Sequence, residues 1–315
     1  MGSAGTPTWL DKLEEQLNVD VDWMDPEYIK GMPIVPHDQT SNQLWVDIQL
    51  GDDSNRELLL ETAKELKNDG WLAIYTRMAV LMCKKNINSI RGRVLLQTLP
   101  SNAFRFQETL DHARLYDKEF ARAGIGRDRY CIKIPSTGPA LNAAKVLSSE
   151  GIPTLGTALF SLPQAIACSQ AGMLYISPYY NGNFITVQEA MAAGEMGCHS
   201  ATISHTVLNE LAKLRYVASE QPGPDVPKPA HVYKDAPPVS DRLRKLLSID
   251  PLAGPDWDGK LASTDVDYLA DGGASLQNAI EADAVTKKRL ADAMALFTGG
   301  QERSRAKIEE VLPLV

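Results

Sequence analysis

Lys133 is the residue in this chain best suited to forming a covalent bond with a substrate. It lies in Tyr130–Ser136, where Tyr130, Ile132 and Ile134 alternate with Cys131 and Lys133 at the period of a β-strand. An ammonium in so apolar a strand is costly to bury without a partner. Desolvation lowers a lysine's pKa and leaves an amine that attacks carbonyls near neutral pH. The structural alternative is a lysine that points out of the sheet or snorkels to water. Its company argues for chemistry. Asp22, Asn42, Gln97, Thr157 and Ser177 are also polar residues at the ends of predicted strands. In a closed barrel of parallel strands those ends converge on one face, where such folds carry their active sites.

The elements that must position these side chains read as alternating strands and helices. Thr8–Asn18 is an amphipathic lead-in helix, followed by a short strand, Val19–Asp22, and another suggested over Pro33–Thr40. Helices over Ser54–Asp69 and Leu72–Lys85 lead to a strand at Arg93–Thr98 and a helix at Phe104–Ala123. After the Lys133 strand come a helix (Pro139–Gly151), a strand (Thr154–Phe160), a helix (Leu162–Ala171) and a strand (Met173–Pro178). A helix (Thr186–Met196), a strand (Ser200–Ser204) and a helix (Val207–Tyr216) complete the series. Such alternation indicates parallel βαβ units. The fold class expected is α/β, a TIM-type (β/α)8 barrel, allowing for one βα unit that is missing or replaced. Residues 1–217 would form the barrel with its lead-in helix, and 218–263 a Pro-rich extended segment or lid. Residues 264–315 would be C-terminal helices wrapped on the barrel, with long helices at Ser275–Phe297 and Gln301–Leu312 and another beginning within Ser263–Ala270.

A chain of 315 residues suits a barrel with additions, and a net charge of −8 disfavours nucleic-acid or anionic-membrane partners. No apolar run is long enough to span a bilayer. Cys83, Cys131, Cys168 and Cys198 are far apart without metal-ligand spacing, so free thiols in a reducing, cytoplasmic setting are expected. His37, His112, His199 and His231 show no ligand spacing either, and no metal is expected.

The residues from Gly92 to Tyr179 resemble the transaldolase family of class I aldolases. Arg129–Thr137 is similar to the strand that bears the family's Schiff-base lysine, and Thr157–Ser161 and Ile176–Tyr179 to its following two strands. Asp38–Asn42 resembles the family's Asp-Ala-Thr-Thr-Asn segment, and Asp22 matches the aspartate of its first strand. The resemblance implies a barrel, no cofactor, a homo-oligomer, and covalent catalysis through an iminium on Lys133. Each step of that chemistry moves a proton and needs an acid or base nearby. In transaldolases a glutamate serves, through a water held by a threonine. Here Gln97 occupies the glutamate's place, Thr157 is retained, and Tyr179 stands where phenylalanine is usual. The pair Gln97 and Tyr179 resembles the fructose-6-phosphate aldolase branch, where the tyrosine hydroxyl is the titratable group. Asp22 would then act on the donor hydroxyl, with Asn42 and Ser177 binding donor hydroxyls. Rival readings are helix capping for Asp22, cap or turn chemistry for Asn42 and Ser177, and a decayed site for Gln97.

Two departures bear on the substrate. No arginine occurs from Tyr179 to Leu214, where sugar-phosphate-binding members place theirs, so a bidentate clamp for a phosphate dianion is missing. The stretch between Tyr179 and Cys198 is also too short for the further βα unit the family has there. His205 ends the last strand, where proline is usual, and is read as a substrate-facing acid or base or as a helix-start histidine. The expected function is a Schiff-base aldolase or transaldolase-like enzyme acting next to a small hydroxyketone, without phosphate recognition. Its partner would be a ketone or aldehyde, in a specialised pathway. The alternatives are a true transaldolase moving a dihydroxyacetone unit between sugar phosphates, and a retired barrel serving as a scaffold.

Overall fold

A computed structural model describes residues 6–179, 186–195, 198–221, 259 and 262–315. Most of the Pro-rich segment, including Ser240–Ser248 where the sequence suggests a short helix, and residues 180–183 lie outside these residues. The chain divides into two compact units. The first comprises Met1–Thr40, Asn88–Gly92 and Tyr180–Ser248; the second comprises Ser41–Ile87, Arg93–Tyr179 and Ile249–Val315.

In the first unit, β1 (Asn18–Asp22) lies between β2 (Gln39–Thr40) and β7 (Ser200–Ser204), parallel to both. Helix α1 (Trp9–Gln16) begins at a capping box. The Thr8 hydroxyl accepts from Asp11 N at 3.2 Å, and Thr8 N donates to the Asp11 carboxylate at 2.7 Å. The helix buries Trp9, Leu10 and Leu13. Helix α2 (Pro26–Gly31) starts with proline at its first turn, and its cap is Asp25, whose carboxylate accepts from Glu27 N and Tyr28 N. Asp22 is therefore not the cap of this helix. Helices α9 (Val187–Glu195) and α10 (His205–Leu211) flank β7 in sequence.

In the second unit, β3 (Val94–Gln97), β4 (Tyr130–Pro135), β5 (Thr154–Leu159) and β6 (Tyr175–Pro178) pair in that order, all parallel. Helices α6 (Phe106–Arg122), α7 (Gly138–Ser149) and α8 (Leu162–Gln170) follow β3, β4 and β5 in turn. On β4, Tyr130, Ile132 and Ile134 share one face, and the Tyr130 ring stacks on Phe120 of α6 at 4.1 Å. Each isoleucine is fully buried, which contributes roughly 1.5–3 kcal/mol apiece. Cys131, Lys133 and Pro135 share the other face.

The seven strands of the described residues are all parallel and alternate with helices. The fold is the expected α/β, TIM-type arrangement, with C-terminal helices added. Boundaries differ in places. The strand suggested over Pro33–Thr40 is confined to Gln39–Thr40, because the preceding residues hold only isolated backbone bonds such as His37 N to Val19 O. The helix that opens at Ala270, the edge of the Ser263–Ala270 stretch where a start was sought, is interrupted at once, because Asp271, Gly272 and Gly273 have φ of 51°, 70° and 89°. Its regular turns follow Gly273, near the expected start at Ser275. The expected helices Ser275–Phe297 and Gln301–Leu312 are instead α11 (Ala270–Ala282) and α12 (Ala284–Val311). The break is at Asp283, whose carboxylate caps α12 by accepting from Val285 N and Thr286 N. Helices α3 (Gln43–Leu50), α4 (Arg56–Leu66) and α5 (Trp71–Asn86) complete this unit.

Helix α12 is fastened to the second unit by charge and by close approach. Asp47 of α3 is buried and receives Arg303 Nε and Lys307 Nζ, each at 2.6 Å. Gly300 lies against the start of α3, where a Cβ would come within 2.9 Å of the Gln43 backbone. Two further glycines, Gly138 and Gly273, bring α7 and α11 into backbone contact, since a Cβ on either would fall 2.3 Å from the other residue. Ser101 N donates to Gln301 Oε1 and the Thr286 hydroxyl to Phe160 O. The C-terminal helix thus touches the loops that follow β3 and β5.

Candidate active site

The inner face of the second unit's sheet carries two layers set by register. Leu95 pairs with Cys131, and Leu155 with Tyr175; together these four form an apolar cluster. One step toward the C-terminal ends of the strands, the residues become polar. Gln97 is directly opposite Lys133 on the neighbouring strand, and Thr157 is opposite Pro135, two residues beyond Lys133 on the same face. Parallel partners and residues two apart point to one side of a sheet. Gln97, Lys133 and Thr157 are accordingly neighbours over an apolar floor. All three are buried, with Lys133 only 5% exposed.

Gln97 is held by its backbone and left unmet at its side chain. Its carbonyl accepts Gln43 Nε2 at 2.9 Å and the Tyr116 hydroxyl at 3.3 Å, and Gln43 Nε2 also reaches Thr98 O at 3.0 Å. Thr98 N donates to Lys133 O at 3.0 Å, which locks β3 to β4 at this level. Yet neither Gln97 Oε1 nor Nε2 has a hydrogen-bond partner on the protein. A buried amide with both functions unmet costs about 1–3 kcal/mol. Groups held at such expense are candidates for binding a ligand or water.

Thr157 and Tyr179 are joined: their hydroxyls are 3.2 Å apart. An irregularity in β5 lies beside this contact. Ala158 has φ of +50°, the left-handed region that non-glycine residues rarely occupy, and the β5–β6 register shifts between Gly156 and Leu159. Beyond it, Leu159 O accepts Tyr179 N at 3.0 Å. Gln164, fully buried, braces the distorted segment. Its Nε2 donates to Ser136 O (2.8 Å) and Ala158 O (3.1 Å), and its Oε1 accepts Phe160 N (2.8 Å). Phe160 stacks on Tyr179 with ring centroids 5.5 Å apart. Neither Gln164 nor the bulge was among the residues singled out by sequence. The available signal was a glutamine three residues after Ser161 at a helix start.

The remaining candidates separate by role and by unit. Asn42 is the N-cap of α3 and spends Oδ1 on Leu44 N at 2.9 Å, leaving the amide nitrogen as the part not used by the cap. Ser177 is on β6, half-buried, two residues beyond Tyr175 on that strand. In the first unit, Asp22 ends β1, buried at 3% exposure and paired in register with Thr40 and Ser204. His205 opens α10 directly after β7. Its ring lies 4.3 Å from Trp23 and 5.8 Å edge-on from Tyr28, whose hydroxyl donates to His205 O at 3.0 Å. The His205 Nδ1 atom is buried without a hydrogen-bond partner. The structure thus groups Lys133, Gln97, Thr157 and Tyr179 within the second unit, and places Asp22 and His205 at strand ends of the first.

Parallel βα units with a buried lysine and polar neighbours at the strand ends define an enzyme-bearing class of α/β fold. The family model described as Transaldolase/Fructose-6-phosphate aldolase matches residues 19–190, more than half of the chain. The chain belongs to this family of transaldolases and aldolases, and the match includes every candidate residue except His205.

Proposed function

We propose that the protein is a Schiff-base-forming aldolase or transaldolase-like enzyme that makes or breaks a carbon–carbon bond beside a small hydroxyketone. The observation that carries this reading is the buried Lys133 facing, across one strand pairing, a Gln97 amide that no protein group satisfies. The Lys133 amine adds to the ketone carbon and expels water, leaving an iminium. Loss of the proton from the β-hydroxyl turns that oxygen into an aldehyde carbonyl, breaks the Cα–Cβ bond and sends its electron pair into the iminium, yielding an enamine and a released aldehyde. The enamine is then protonated, or attacks an aldehyde in the reverse sense. A water held between Gln97, Thr157 and Tyr179 carries the protons, with the tyrosine hydroxyl as the titratable member.

Asn42 Nδ2 and Ser177 are assigned to donor hydroxyls. Asp22 and His205 are assigned as acid–base groups on the strength of their strand-end positions, with Asp25 relieving Asp22 of capping. Phosphate-free substrates are favoured by the absence of arginine from Tyr179 to Leu214. No cofactor enters this chemistry. A homo-oligomer in the cytoplasm completes the reading; the free state of all four cysteines supports that compartment.

The test is borohydride trapping with dihydroxyacetone, fructose and a panel of ketones and aldehydes, read by intact mass. A covalent adduct is expected on the wild type and not on Lys133→Arg. An exchange assay with fructose 6-phosphate and erythrose 4-phosphate separates cleavage from transfer, because only transfer requires both sugars. If no carbonyl compound gives an adduct, the scaffold reading replaces this one.

A further inference from the structure

The first unit brings together three side chains that the sequence separates. Asp20 of β1, His37 and Asp38 each offer one ligand atom, and these atoms all lie within 4.8 Å of one another. His37 Nδ1 is 2.9 Å from Asp38 Oδ1 and 3.7 Å from Asp20 Oδ1. In metal-free protein these contacts are ion pairs of a protonated imidazole with the two carboxylates. The position of Asp20 is set by its acceptance of Asp38 N at 3.0 Å, and the whole group is tied by Val21 N to Asp38 O and His37 N to Val19 O.

The same spacing also suits shared coordination of a cation that displaces the imidazole proton. Ligands to a tetrahedral divalent ion, at bonds of about 2.0–2.2 Å, stand about 3.4 Å apart. The two distances from His37 Nδ1 bracket that figure. Two carboxylates and a neutral imidazole supply the double negative charge that neutralises a divalent ion, and the nitrogen favours a first-row transition cation over calcium or magnesium. A glycine covers the group: a Cβ on Gly92 would fall 2.0 Å from Asp38 Oδ1 and 2.9 Å from His37 Nδ1. Nearby His199, its ring 6.3 Å from that of His37, has Nδ1 at 3.1 Å from the Ser200 hydroxyl and Nε2 at 3.2 Å from Asn18 Nδ2.

We propose that Asp20, His37 and Asp38 form a binding site for a divalent first-row transition cation such as Zn²⁺, with water as the fourth ligand, tying β1 to the residues preceding β2. The site is separate from the lysine chemistry and stands or falls without it.

The experiment uses full-length, tag-free protein stripped with chelator and dialysed against Zn²⁺, with metal content measured per chain. One tightly held Zn²⁺ is expected, with a higher melting temperature and a ten-fold or greater loss of affinity in each of Asp20→Asn, His37→Gln and Gly92→Ala. Co²⁺ added to the wild-type protein should show the visible absorption of a four-coordinate nitrogen–oxygen site, a readout that needs no variant to fold. Failure of Zn²⁺ and Co²⁺ to bind, or binding unchanged in the Asp20→Asn/His37→Gln double variant, overturns the assignment.

Discussion

The two units bury polar groups in opposite ways. On the inner face of the second unit, Gln97 has its backbone clamped by Gln43 and Tyr116 while its side-chain amide is unmet. In the first unit, Asp20, His37 and Asp38 are gathered around one another, so each carboxylate has a counter-charge within reach. Unmet groups on a rigid frame are candidates for meeting a ligand or water. Mutually compensated groups act on stability, and their removal should be felt in folding before catalysis.

The same contrast appears in two histidines. His112 is fully buried in the second unit, accepts Leu99 N at Nδ1, and is pushed by burial down to about 3. His37 is held up to about 9 by the Asp20 and Asp38 carboxylates beside it, while burial pushes the Asp20 carboxyl up to about 7. One imidazole is kept neutral and the other charged by surroundings alone.

The hardest test of this contrast is Lys133→Arg, which should reduce aldol chemistry to background while leaving the melting temperature nearly unchanged. A guanidinium is of similar length but does not condense with a ketone. Gln97→Met should separate stability from activity. Removing the unmet amide is expected to lower turnover about 10²-fold. Unfolding measured in urea should show the variant more stable by about 1–2 kcal/mol. Equal losses in both would mean that Gln97 is a structural residue.

In the first unit the outcome should reverse. In metal-free protein, His37→Leu leaves two carboxylates without the imidazolium beside them and is expected to cost about 2 kcal/mol, held below the value for a dry pair by partial exposure of the ring. Gly300→Ala tests whether α12 supports the site from behind. Its Cβ would press on the Gln43 backbone, and a loss of about 1–2 kcal/mol is expected in urea titrations.

The smallest effect is in pH. His112 titrates near 6.5 when unfolded and near 3 when folded, so the unfolded chain binds the extra proton between those values. Its contribution is fully present above about 6.5 and is lost as pH falls, by about 1 kcal/mol at pH 5.5. His37 gives the opposite slope in metal-free protein. Its folded value is raised, so its contribution is full below about 6.5 and declines as pH rises toward 9. Urea midpoints across pH 5–9 for His112→Gln and His37→Gln should each flatten one limb.

Much of the architecture was readable from local pattern. Alternation at period two assigned Cys131 and Lys133 to one face of β4 and Tyr130, Ile132 and Ile134 to the other, because a strand exposes successive residues on opposite sides. The same rule made Gln97, Thr157 and Ser177 recognisable as strand-end polar residues. Local pattern did not reveal that Asp25, three residues beyond Asp22, caps α2, nor that Asp283 divides the C-terminal helices. Both depend on which carboxylate meets the free backbone amides.

What only the tertiary structure decided is distance between residues remote in the chain. Asp20 and His37 became neighbours through strand pairing, and Gln164 came to brace Ser136 and Ala158 through helix packing. The left-handed turn at Ala158 likewise has no local signature, since alanine does not favour it and the surrounding hydrogen bonds impose it. Sequence sets the period and face of each element. The contacts that make a site are long-range, and their geometry arises only when the elements pack.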